Sequence, residues 1–93
     1  MTAHLPAYFR HAARPALQIV EEVAQKYELS VDDLLGPCRK RHIAWPRHEA
    51  WLRVFDETKF SWAEMELIFG KNRETIRHGV DAAIFRIKEG LMA

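Results

Sequence analysis

The chain has 93 residues, 48% hydrophobic and 29% charged, with four glycines and four prolines, a composition that fits one globular domain and excludes a multi-domain enzyme. A single cysteine, Cys38, rules out an internal disulfide, and no stretch approaches the roughly 18 apolar residues of a membrane span, so a reducing, cytoplasmic setting is expected. The formal net charge of +1 is unevenly spread: no acid lies between Asp33 and Glu49, where Arg39, Lys40, Arg41 and Arg47 form a basic patch beside His42 and His48.

A chain of this length buries only about 60 to 65% of its unfolded surface, which favours helices with dense local contacts over a large sheet. Residues 1–13 read as an N-terminal arm or a short docked helix containing Tyr8 and Phe9, ahead of a domain over 14–93. From Ala16 to Tyr27, Leu17, Val20, Val23, Ala24 and Tyr27 recur at helical spacing, with Pro15 suited to the first turn. Ser30 precedes Asp33 by three residues, a capping-box pattern that opens a short helix through Val31, Leu34 and Leu35 and stops at Gly36-Pro37. The basic loop is then expected to run to Trp45. Pro46 opens a third helix, with Ala50, Trp51, Val54 and Phe55 on one face and an end near Thr58.

Ser61-x-x-Glu64 is a second capping box, directly before Met65, Ile68 and Phe69, and Gly70 supplies a helix stop. Asn72 then caps a last helix whose apolar face is expected to comprise Ile76, Val80, Ala83, Ile84 and Ile87. No segment alternates with period two, so the fold class is all-α with about five helices.

A short helix, a tight glycine turn and a longer amphipathic helix make a helix-turn-helix, whose second helix enters the DNA major groove. Residues 61–89 have that layout, and Lys71, Glu74, His78 and Phe85 fall opposite the apolar face, flanked by Thr75 and Arg77. Base readers belong near the start of such a helix, which selects Asn72, Arg73, Glu74, Thr75, Arg77 and His78. Arginine can fork to guanine, asparagine to adenine, glutamate accepts from cytosine, and the threonine methyl packs on thymine. The same residues also have plainer readings: Asn72 as a cap, and the 73/77 and 74/78 pairs as surface neighbours.

Taken together, the first helix leading to Leu34-Leu35, the Arg39-Lys40-Arg41 run, the Trp45-Pro46-Arg47 step and Phe69-Gly70 before the last helix resemble the C-terminal DNA-binding domain of the bacterial replication initiator DnaA. The resemblance covers about 70 of the 93 residues. It implies an all-α helix-turn-helix domain of the Trp-repressor-like type that binds a short duplex box. It also implies that Arg39, then Arg41, enters the minor groove and that Arg47 contacts backbone phosphate. The family's Asp-His-Thr-Thr major-groove core reads Asn72-Arg73-Glu74-Thr75 here, so only Thr75 matches by type, and a one-residue gap aligns His78 with a phosphate-contacting histidine. Minor-groove and backbone positioning are expected to persist while the major-groove reader is rewritten.

No phosphate-binding G-x-x-x-x-G-K-[ST] loop is present, so a reader without a nucleotide-hydrolysing motor is expected. Cys38 and His42 lack a second ligand pair, and neither a metal, a cofactor nor catalysis is expected. Trp45, Trp51 and Trp62 are read as core and loop anchors. The expected function is sequence-selective binding of double-stranded DNA, as monomer or homodimer, in transcription or replication control, with Arg39, Lys40, Arg41, Arg47, Lys71, Asn72, Arg73, Thr75, Arg77 and His78 as the DNA-binding residues. The competing reading is an adaptor that keeps the fold and uses Phe85, the N-terminal aromatics and the acidic blocks to engage a transcription or replication protein such as a polymerase subunit or the initiator itself.

Overall fold

The computed structural model describes residues 13–91, which form five helices and no strand. These are α1 (Arg14–Lys26), α2 (Val31–Leu35), α3 (Arg41–Thr58), α4 (Trp62–Phe69) and α5 (Arg73–Lys88). The expected arm at residues 1–13 lies, except for the buried Ala13, outside the described residues. No described helix is long and apolar enough to cross a membrane.

Local chemistry sets most boundaries. Both capping boxes form: Ser30 Oγ accepts from Asp33 N at 3.0 Å and Ser61 Oγ from Glu64 N at 3.1 Å, each returned by the acid to the serine N–H. Helix α4 stops at Gly70, whose left-handed φ of 65° lets its N–H reach the Glu66 carbonyl at 2.8 Å. Helix α1 ends with Glu28 in the left-handed region at φ 57°, with Leu29 N bonded to Ala24 O and Glu28 N to Gln25 O. This is a Schellman closure without glycine.

Helix α3 starts five residues earlier than the position of Pro46 suggests. Lys40 is extended (φ −64°, ψ 141°) and its carbonyl accepts from Ile43 N and Ala44 N at 2.9 and 2.7 Å, so the first turn closes ahead of the proline. Pro46 lacks an N–H and deprives the His42 carbonyl of its helical donor, but His42 is itself exposed, and the proline ring is buried. The basic stretch is therefore a loop only through Lys40.

Helix α3 is the central strut. On one side α1 runs antiparallel to it, as the pairs Glu22–Arg53 and Lys26–Glu49 require, and α2 closes the same side. On the other side α5 packs antiparallel along it, with α4 bracing the start of α5. Val20, Val23, Leu34, Val54, Met65 and Ile76 are buried between these layers. Helix α5 approaches α3 at Gly79, where an added Cβ would lie 2.5 Å from the buried Trp51 ring and 2.7 Å from His48. The missing side chain is what lets the two helices meet so closely.

The apolar face of α5 is shorter than its spacing suggests. Ile76, Gly79, Val80 and Ala83 are buried, whereas Ile84 and Ile87 are 39% and 42% exposed, because the helices packed against α5 leave its C-terminal part uncovered among the described residues.

Candidate nucleic-acid interface

The helix-turn-helix is formed by α4, the turn 70–72 and α5. Asn72 acts as the cap, its Oδ1 accepting from Glu74 N at 2.7 Å. Glu66, on α4, supplies a second cap: its Oε2 accepts from Arg73 N at 2.7 Å, and the carboxylate also takes Arg73 Nε at 3.2 Å and Nη2 at 3.3 Å. Two of the amides that a helix N-terminus would present to a phosphate are thus already engaged. Arg73, Glu74, Thr75, Arg77 and His78 remain exposed, opposite the buried Ile76, Gly79 and Val80. The Arg77 guanidinium lies 5.8 Å from the Trp62 ring centre, and Trp62 stacks on Phe55 at 4.1 Å.

Arg47 is not where a surface phosphate contact requires it. It is 5% exposed, and its guanidinium donates to three backbone carbonyls: Nε to Leu34 at 2.9 Å, Nη1 to Cys38 at 2.6 Å and Nη2 to Asp33 at 2.7 Å. These carbonyls belong to the end of α2 and the segment after it, where helical partners run out and a cation is favoured by the helix dipole. Burial holds the Arg47 pKa below its ordinary value. Lys71, from the turn of the helix-turn-helix, completes the clamp by donating to Gly36 O at 3.1 Å. The 33–38 segment is therefore tied to α3 and to the start of the recognition helix by two cations. Arg47, expected as a phosphate ligand, is thus held internally, with three of its five N–H bonds directed to carbonyls.

The clamp brings the two basic stretches together. Pro37, Arg39, Arg47, His48, Lys71 and Thr75 line a groove of about 490 Å³ between the 36–40 segment and the start of α5, and no carboxylate lines it. Arg39 and Lys40 are exposed beside it. Arg41 faces elsewhere: it opens α3, lies 4.9 Å from the Trp45 ring centre, and with His42 borders a second groove of about 530 Å³ that also contains Tyr27 and Leu29. Arg39 and Arg41 thus occupy different sides of the loop end.

Arg86 and His48 carry a role that sequence reasoning missed. The Arg86 guanidinium sits 4.2 Å from the Trp45 ring centre and its Nη1 lies 3.0 Å from His48 Nδ1, which must be the acceptor because arginine only donates. Burial, then the positive charges of Arg86 and Arg47, lower the His48 pKa to about 4, so the ring is neutral at physiological pH. The available signal was positional: Arg86 follows Gly79 by seven residues and shares its face of the helix. Phe85 is 60% exposed on the opposite face, and Ile87 and Leu91 are 42% and 57% exposed.

A family profile described as bacterial DnaA protein helix-turn-helix matches residues 16–82. The chain belongs to this family. Among similar proteins, the chromosomal replication initiator protein DnaA of Cereibacter sphaeroides is 38% identical over 64 residues, covering 68% of this chain and 14% of that protein. The DnaA of Thermomicrobium roseum is 33% identical over 64 residues, with the same coverage of each chain, and that of Neisseria meningitidis serogroup C is 31% identical over 81 residues, 86% of this chain and 15% of the relative. The chain therefore spans about one seventh of the length of these relatives. No solved structure matches it. The DnaA-family match runs from α1 through most of α5 and ends at Ala82, before the exposed Ile84, Phe85, Ile87 and Leu91.

Proposed function

We propose that this DnaA-family domain binds double-stranded DNA sequence-selectively, in the control of replication or transcription. Helix α5 lies in the major groove, where Asn72, Arg73, Thr75, Arg77 and His78 meet the duplex, and Arg39 with Lys40 reaches the adjacent minor groove, with Arg41 on the other side of the loop end. The observation that carries this reading is the carboxylate-free groove that joins Arg39 to Lys71 and Thr75, because it aligns the two basic stretches on one side of a near-neutral chain. Arg47 and Lys71 support the reading indirectly, by holding the loop against the recognition helix.

Among the described residues assigned to the duplex, five cations are exposed: Arg39, Lys40, Arg41, Arg73 and Arg77. At about −0.9 per phosphate neutralised, they give a slope of log K against log salt of roughly −4 to −5. A mobility shift on a pool of random duplexes between about 50 and 200 mM salt tests this, with the Arg39→Ala/Arg41→Ala double variant as control. A salt-insensitive shift, or a double variant that binds as well as the parent, overturns it. The exposed Ile84, Phe85, Ile87 and Leu91 favour the second reading, an adaptor engaging a transcription or replication protein. No shift at low salt selects that reading instead.

A further inference from the structure

We infer that Glu66 is a positioning residue for Arg73, turning the outer edge of its guanidinium toward a guanine and so setting base preference at one position of the DNA site. The inference rests on the DNA-binding reading above and names one of its specificity determinants. Arg73 is the first residue of the recognition helix and its side chain is 52% exposed, while Glu66 projects from the preceding helix with 30% exposure. The Glu66 carboxylate is fixed at three points on Arg73, the backbone N–H, Nε and Nη2.

Planarity does the rest. A guanidinium has five N–H bonds in one plane. With Nε and one hydrogen of Nη2 turned to Glu66, the second Nη2 hydrogen and the parallel Nη1 hydrogen form the adjoining, end-on edge, which no residue engages in the described structure. Two parallel N–H bonds are what guanine O6 and N7 accept in the major groove. An unrestrained arginine at this position would swing between bases and phosphates. One held by Glu66 offers a single edge, and the carboxylate itself repels neighbouring phosphates. Hydrogen bonds from the Arg73 side chain and backbone hold the Glu66 pKa below the usual carboxylate range, so this negative charge persists at neutral pH. Arg77, also on the outward face, rests over Trp62, and no carboxylate among the described residues directs its fork.

The test compares base preference, after selection from a random duplex pool, for the parent, Arg73→Ala, Glu66→Gln and the double variant. The parent should favour a G·C pair at one position by on the order of tenfold, the range expected of one bidentate contact. Arg73→Ala should flatten that position alone. Glu66→Gln keeps an oxygen for the Arg73 N–H, so its helix content and melting temperature should match the parent. It should nevertheless lose most of the preference at the same position, with equal or tighter binding to random duplex. The double variant should behave as Arg73→Ala does. Full preference in Glu66→Gln, or loss spread over several positions, overturns the positioning role, and unchanged preference in Arg73→Ala overturns the reader. A parent that shifts no duplex at all removes the DNA-binding reading and this inference with it.

Discussion

Replacing Arg47 by lysine separates an internal clamp from a phosphate contact, because the charge is retained while the fork is lost. Arg47 bonds three carbonyls at 2.6 to 2.9 Å from a position that is 5% exposed. Hydrogen bonds to a charged group contribute about 1.5 to 3 kcal/mol each, and burying the guanidinium offsets part of that sum. A lysine ammonium can satisfy one or two of the carbonyls, leaving at least one buried acceptor without a donor. The expected cost of Arg47→Lys is therefore about 2 to 3 kcal/mol, against a total stability of about 4 to 12 kcal/mol for a domain of this size. At about 4 to 8 °C per kcal/mol, the melting temperature should fall by roughly 10 to 20 °C. The salt slope of duplex binding, measured where the variant is folded, should not change. If Arg47 met a phosphate instead, Arg47→Lys would be within about 0.5 kcal/mol of the parent, and Arg47→Ala would lower the slope by about 0.9. That pair of results would refute the clamp.

Two further outcomes follow from the packing of α3 against α5. Gly79→Ala gains about 1 kcal/mol of helix propensity but puts a methyl 2.5 Å from Trp51, and overpacking of this kind costs about 1 to 3 kcal/mol; urea unfolding should show net destabilisation, and a rise in stability would mean that the helices are not in contact there. For His48, the folded pKa of about 4 lies below the ordinary 6.5, so the unfolded chain takes up the proton first as pH falls. The His48 contribution is complete above about pH 6.5 and is lost between there and pH 4, amounting to about 1 to 2 kcal/mol once its part exposure is discounted. His48→Gln should flatten that limb of the stability profile, and an unchanged limb would place the titration elsewhere.

Much of the architecture was legible in the residues because the decisive interactions are local. Ser30 with Asp33, Ser61 with Glu64, Asn72 with Glu74 and Gly70 with Glu66 all act within four residues, so their residue types announce the helix ends. The α1 closure at Glu28 and the start of α3 before Pro46 were not legible, since a non-glycine left-handed residue and a proline inside a helix both run against single-residue preference.

The sequence by itself determined an all-α chain ending in a helix-turn-helix, a basic stretch free of acids, and the exposed polar face at the start of the last helix. Tertiary structure alone decided which cations remain available to a partner. Arg47 reaches carbonyls 9 to 14 residues back, Lys71 one 35 residues back, and Arg86 a histidine 38 residues away, distances over which no periodicity carries information. Ile84 and Ile87 keep perfect helical spacing and still face outward, because spacing fixes which residues share a face and only the neighbouring helices fix how much of that face is covered.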